Sequence, residues 1–162
     1  MVSYRLVIGI IVGIIFSFFT ALFFDMDGIL PVIQVTAGSD FLKIVTILSG
    51  WNFEYDIISF FIESPSIVEF FAPQLLACIF VGYLSGSISK GFKRGLIASS
   101  LVTAVNLAIW MLLSVLLGED LAALFQGAQL IATVGGILSA LIGAILGGIT
   151  GGLISGPYEE VY

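Results

Sequence analysis

Polar residues that could support chemistry inside a membrane are few in this sequence. The most central is Asn106, near the middle of a long apolar run, with Thr103 and Ser99 about one and two helical turns before it. Such a set can line a path for an ion or solute, or it can form hydrogen bonds between helices worth ~0.6 kcal/mol each. Because pathway residues are more often charged, we favour the hydrogen-bonding interpretation and keep a polar lining as the alternative.

Residues for catalysis or metal binding are scarcer still. The sequence has no His and one Cys, Cys78, which excludes an imidazole base and a multi-thiolate metal site. The apolar runs carry no central Lys, Asp or Glu to activate a serine. Asp25 and Asp27 before Gly28 resemble the start of a calcium loop, but the residues that follow supply no further oxygen ligands. We therefore expect a protein that is not an enzyme and needs no metal or cofactor.

The basic residues are concentrated in one short segment. Lys90, Lys93 and Arg94 are three of the five in the chain. They can hold an anionic lipid headgroup, at ~1 kcal/mol per basic residue, although dedicated lipid sites usually have four to eight. We interpret them first as determinants of membrane topology. With a net charge of −6, the chain has no electrostatic footprint for nucleic acid.

The apolar runs that hold these residues are long enough to be membrane helices. Apolar residues make up 59% of the chain and charged residues 10%, against roughly a quarter charged in soluble domains. We predict an all-α membrane protein with one integral membrane domain, 1–162, of four transmembrane helices. Ser64 and Pro65 predict the start of the second helix, and Pro73 predicts a kink or a restart in it. The predicted spans are about 5–24, 67–88, 96–117 and 130–154.

The connection 25–66 between the first two spans is acidic and yet rich in apolar residues. Its segments 41–48 and 57–62 are too short to cross a bilayer. They are predicted either as re-entrant or interfacial helices, or as a small cap packed on the helix ends. The connection is thus predicted to be a partly embedded, acidic, extracytoplasmic cap.

The charge distribution predicts the orientation. Cytoplasmic loops carry the excess of Lys and Arg, which places the segment 90–94 in the cytoplasm. With four spans, Arg5 and both termini lie on the same side, and nine of the eleven acidic residues lie on the other. We therefore predict a multi-pass protein of the cell membrane with cytoplasmic N- and C-termini.

Small residues recur at every fourth position along the last span. Two adjacent rows of this kind form a glycine zipper, which lets another backbone approach closely. Gly82 and Gly86 form a GxxxG pair in the second span. The predicted helix-packing residues are Gly82, Gly86, Gly136, Gly143, Gly147, Gly148, Gly151 and Gly152. Because a four-helix bundle needs only part of this face, we expect the rest to contact a membrane-protein partner or a second copy.

The segment 82–86, followed by the basic turn 90–95 and a helix bearing serine and alanine, resembles uncharacterised small multi-pass membrane proteins common in archaea. The resemblance covers about 78–105 and implies no activity. The sequence therefore predicts a non-catalytic membrane protein, either an accessory or structural subunit of a complex or a self-associating helical bundle. The alternative is a passive channel or small transporter lined by the third span.

Overall fold

The protein is all-helical across the residues described by the computed structural model, 4–62 and 70–157. The predicted helix start at Ser64 and Pro65 and the C-terminal tail from 158 lie outside these ranges. The helices are α1 (Tyr4–Phe24), α2 (Met26–Val32), α3 (Phe41–Gly50), α4 (Ile57–Ile62), α5 (Pro73–Ser89), α6 (Phe92–Leu116), α7 (Leu121–Leu124) and α8 (Gly127–Ile154). A π-helical turn, Ile33–Ala37, continues α2, and a 3-10 turn, Trp51–Phe53, follows α3.

Three helices are long and apolar enough to cross a membrane. They are Tyr4–Phe24, Phe92–Leu116 and the Gln129–Ile154 part of α8. The prediction of apolar helices in these regions is confirmed, with shifts of a few residues at their ends. The largest shift is at α6, which begins at Phe92 because Gly91 adopts φ +86° and turns the chain sharply after α5.

The second predicted span, 67–88, is not one continuous helix. Ala72 has the extended conformation φ −53° and ψ 142°, and α5 begins at Pro73. A residue before proline is driven out of the α region, while proline itself suits the first helical position. Pro73 therefore marks a restart, and α5 has only 17 residues, which corresponds to ~25 Å.

The four longer helices form an up-and-down bundle. α1 packs against α5 and α6, and α8 packs against the same two helices. A Cβ atom on Gly13 of α1 would meet both Ser85 and Val102, so α1 contacts α5 and α6 at one level. The core of the bundle is built largely from glycine, alanine and serine rather than from large side chains.

The charges separate between the two ends of the bundle. Gly9 of α1 packs against Ser89, and the Gly91 amide donates to the Gly152 carbonyl at 2.9 Å. The start of α1, the α5–α6 turn and the end of α8 thus share one end, here called the basic end because it carries Arg5 and the 90–94 cluster. The opposite, acidic end carries the charged residues Asp25, Glu54, Asp56, Glu119 and Asp120.

The connection between α1 and α5 packs into the bundle beside the first turns of α5. Its Trp51, Asn52 and Phe53 are only 1%, 4% and 5% exposed. Trp51 packs in a cluster with Ala21 and Ala77, and Phe53 packs near Trp110 of α6. The 3-10 turn therefore lies between the helices, beside the first turns of α5 and about one turn below the acidic end of α1.

Candidate functional site

The glycine-rich face of α8 is the first candidate site, and it packs on α5 at backbone distance. A Cβ atom on Gly82 would overlap the Ala144 carbonyl, and one on Gly86 would overlap the Gly148 carbonyl. From the other side, a Cβ on Gly147 would overlap the Ile79 carbonyl. Gly151 meets the Tyr83 carbonyl in the same way. The two helices therefore touch through main-chain atoms, which only residues without side chains permit.

The neighbouring row on α8 packs on α6. A Cβ atom on Gly148 would lie 2.6 Å from the Gly95 carbonyl oxygen, and one on Gly152 would lie 2.6 Å from the Gly91 carbonyl oxygen. The row with Gly147 and Gly151 thus faces α5, and the row with Gly148 and Gly152 lies between α5 and α6. We call the α5–α6–α8 contact through these glycines the glycine seam.

The remaining two predicted packing residues lie farther toward the acidic end. A Cβ atom on Gly143 would lie 3.1 Å from side-chain atoms of both Cys78 and Leu75. Gly136 lies against the Phe53 carbonyl of the connection. Both small-residue rows are buried from Gly135 to Gly152, whereas Ala132 is exposed. This chain therefore covers the face itself over that length.

The second candidate site is a group of buried polar side chains around the 3-10 turn. The Asn52 amide nitrogen donates to the Ser17 carbonyl at 3.0 Å, and its amide oxygen accepts from the Thr20 hydroxyl at 2.9 Å. The Ser49 hydroxyl donates to the Asn106 amide oxygen at 3.1 Å. These bonds tie the connection to α1 and α6. We call Ser17, Thr20, Ser49, Asn52 and Asn106 the polar socket.

The predicted polar lining is only partly brought together. Thr103 and Asn106 border a small cavity of about 20 Å³ together with Ser17 and Asn52, which is room for one water molecule. Ser99 does not border it, because it packs on Gly148 and donates to the Leu96 carbonyl of its own helix. Asn106 acts as an acceptor between helices, the role that the sequence favours.

Four members of the polar socket were not predicted from the sequence. Ser17 and Thr20 share one face of α1, but this face also fits an ordinary small-residue face. Ser49 and Asn52 lie in the connection, where polar residues are expected at the surface. The only signal is that Asn52 stands between two aromatic residues, Trp51 and Phe53, a setting in which a buried amide needs partners.

Two acidic residues lie near the polar socket: Asp25 accepts a hydrogen bond, and Glu54 has a raised pKa. Asp25 accepts a hydrogen bond from the Trp51 indole at 3.3 Å. The pKa of Glu54 lies above the ordinary value of 4.5, because the Glu54 carboxyl group is buried and the nearby Asp25 carboxylate raises the pKa further. Asp27 is exposed. Across the residues that the structure describes, no three His, Cys, Asp or Glu side chains are grouped to hold a metal ion.

The basic cluster surrounds the α5–α6 turn. Lys90 follows α5 with φ +52°, Lys93 is exposed, and Arg94 is half-buried in the first turn of α6. A groove of about 450 Å³ opens beside this turn between Phe92 and Leu153. The three cations thus lie at one end of the bundle, beside this apolar groove.

The fold and these sites define an all-helical protein with three helices able to cross a membrane. Comparisons with protein-family models, with curated proteins and with solved structures find no match to this chain. The resemblance of 78–105 to small archaeal membrane proteins therefore stays a prediction.

Proposed function

We propose that the chain is an integral membrane protein of the cell membrane with four spans, α1, α5, α6 and α8. With 17 residues, α5 is at the short limit for a transmembrane span. The packing of α5 inside the bundle supports including it as the fourth span. The connection is partly embedded, as its outward apolar residues suggest: Val35, Phe41 and Phe61 are 88%, 75% and 64% exposed. Both termini and the basic turn lie in the cytoplasm.

Cysteine labelling tests this topology. Single cysteines at Tyr4, Lys93 and Asp120 would be probed in intact cells with a membrane-impermeant thiol reagent, and Cys78 is buried enough to give little background. We expect Asp120→Cys to be labelled from outside and the other two only after the membrane is opened. Labelling of Tyr4→Cys and Lys93→Cys from opposite sides would mean that α5 does not span.

The proposed role is non-catalytic: an accessory or structural subunit of a membrane complex, or a self-associating bundle. The observation that supports this role is that the glycines of the seam and the polar side chains of the socket pack within this chain. The glycine seam joins three helices, and the polar socket holds the connection in place. Such a compact unit presents apolar helix faces outward, for example Ile11 and Ile15 of α1, each 51% exposed. These faces are available to lipid and to other membrane helices.

The mass of the native particle tests this role. After extraction from its own membrane in mild detergent, we expect a protein mass above the 17.2 kDa of one chain, with a second copy or a partner recovered by cross-linking. Tryptophan at Ile11 and Ile15, compared with tryptophan at Leu101 and Leu112 of α6, would locate the contact face. A single chain in every detergent, with no cross-linked product in the membrane, would overturn the proposal.

A passive solute path is the second candidate, favoured by the cavity next to Asn106. The polar side chains of Ser17, Asn52 and Thr103 border this cavity together with Asn106, so the cavity offers hydrogen-bonding groups to a water molecule. In liposomes, Asn106→Leu should abolish flux by filling the cavity. Ser49→Ala removes the same hydrogen bond without adding volume, and should preserve flux. Wild-type liposomes that pass no tested ion or solute would remove this candidate.

A further inference from the structure

A larger cavity lies near the acidic end, between the connection and α6. It has a volume of about 210 Å³, and its walls include Ile47, Gly50, Phe53 and Trp110. Two carboxylate side chains, Glu54 and Glu119, also line it. The volume is about ten times that of the small cavity at Asn106. This is far more than a bare metal ion requires and suits a small organic molecule.

The aromatic wall of the cavity is fixed by packing. Trp110 stacks on Phe53 with ring centroids 5.6 Å apart and an angle of 24° between the planes. A Cβ atom on Gly50 would lie 2.6 Å from the Trp110 indole nitrogen, so the absence of a side chain lets the indole approach α3. The wall is thus set in place without a ligand, as expected of binding pockets that are largely pre-formed.

The charge of the cavity is negative and uncompensated by its own walls. None of the residues that line it is Lys or Arg. The nearest cation along α3 is Lys43, one turn before Thr46 and exposed. The raised pKa of Glu54 fits this arrangement, because burial and the neighbouring Asp25 carboxylate both disfavour its charged form.

We propose that this cavity binds a small organic ammonium ion, with its charge between Glu54 and Glu119 and its apolar substituents against Trp110. Carboxylates and an indole together attract such cations through charge and through the ring quadrupole. A divalent metal is a poorer match, because Ca²⁺ needs six to eight oxygen ligands and the walls provide few. The inference is independent of the structural role proposed above.

Tetramethylammonium is the probe, added to the full chain in detergent with both tryptophans 5-fluorinated. The ¹⁹F resonances of Trp51 and Trp110 are assigned with phenylalanine variants. We expect a saturable shift of the Trp110 signal only. Glu54→Gln and Glu119→Gln should each weaken binding roughly threefold to tenfold, and Lys43→Gln should tighten it. An unchanged Trp51 signal shows that each variant remains folded.

Two further measurements complete the test. Asp27→Asn removes an exposed acid at the same end that does not line the cavity, and it should leave binding unchanged. Binding should also weaken as the pH falls through the raised pKa of Glu54, but much less in Glu54→Gln. A shift that never saturates, or an equal loss in Asp27→Asn, would overturn the proposal, as would equally strong competition by calcium.

Discussion

Different kinds of contact hold the helices together at the two ends of the bundle. Toward the basic end, the glycine seam brings the backbones of α5, α6 and α8 together at residues such as Gly86 and Gly148. Toward the acidic end, the polar socket joins the 3-10 turn to α1 and the end of α3 to α6 through side-chain hydrogen bonds. The cavities of about 20 Å³ and 210 Å³ lie in this second region, and the groove of about 450 Å³ lies at the basic end beside the α5–α6 turn.

The difference follows from what lies between the long helices at each end. Toward the basic end, regular helices satisfy their own backbone and need only small residues to approach one another. Toward the acidic end, the 3-10 turn Trp51–Phe53 lies between the helices beside Ala77 and Cys78 of α5, and its buried Asn52 side chain must find polar partners. Asn52 provides a donor and an acceptor there, and Phe53 borders both cavities. We therefore expect added side-chain volume to destabilise the protein most toward the basic end. Loss of polar groups should destabilise it most toward the acidic end.

Gly147→Ala should have the largest effect of the changes considered. The added methyl group would overlap the Ile79 carbonyl, and a helix backbone cannot move aside as a side chain can. We expect a loss of ~3 kcal/mol or more in the free energy of unfolding, measured by thermal or denaturant unfolding in one detergent.

Two matched changes on α8 make that test specific. Ala132→Leu adds more volume at an exposed position in the same periodic pattern and should leave stability nearly unchanged. Gly143→Ala meets only the side-chain atoms of Cys78 and Leu75 at 3.1 Å and a carbonyl oxygen at 3.2 Å. Its gain in helix propensity of ~1 kcal/mol offsets much of the crowding. Equal losses at 147 and 143 would contradict a backbone-tight seam.

Asn52→Leu should have the next largest effect. The change replaces the amide group with methyl groups and so removes the bonds to the Ser17 carbonyl and the Thr20 hydroxyl. We expect a loss of ~2 kcal/mol and faster amide exchange in the turn Trp51–Phe53, followed by hydrogen–deuterium exchange. Thr46→Val is the control, because the only hydrogen bond found for the Thr46 hydroxyl among the described residues goes to Leu42 of its own helix. Exchange that stays slow in Asn52→Leu would show that the polar socket does not hold the turn.

The sequence was sufficient for the three long apolar helices but not for α5 or the connection. Long uncharged runs predict α1, α6 and α8, because hydropathy over ~20 residues reports directly on a span. The four-residue spacing of glycines also predicts a common helical face, since such a face follows from sequence separation alone, and Gly147 and Gly148 lie at backbone distance from α5 and α6. The spacing does not predict whether a helix of this chain or of another chain packs against that face.

The connection was harder because its partners are distant in sequence. Asn52 bonds to Ser17 and Thr20, and Ser49 bonds to Asn106, 57 residues away. Short apolar segments such as 57–62 have no periodicity that separates an embedded helix from a surface cap. The start of α5 at Pro73 was visible as a kink or a restart. Its consequence for the packing of the turn depended on the whole bundle.

Ser85→Ala should have a smaller effect, and of the opposite sign to the loss at Asn52. Ser85 is fully buried in the basic half, and its hydroxyl has no hydrogen-bond partner among the residues described. Removing an unpaired buried hydroxyl is expected to be neutral or to stabilise by up to ~1 kcal/mol. The comparison variant is Ser49→Ala, which loses its bond to Asn106 and should destabilise by ~1 kcal/mol. A destabilised Ser85→Ala protein would mean that polar contacts also matter toward the basic end.

Glu54→Gln should have the smallest effect, and it depends on pH. Because the pKa of Glu54 is raised in the folded protein by burial and by Asp25, the folded state binds this proton more readily than the unfolded chain does. The wild-type protein should therefore lose stability as the pH rises from about 4.5 through the raised value. The neutral glutamine avoids this loss. We expect the variant to melt ~1–2 °C higher than wild type at pH 7.5, a small shift because the side chain is partly exposed. The two proteins should melt together below pH 4.5, and a constant difference at every pH would assign the effect to packing rather than to this carboxyl group.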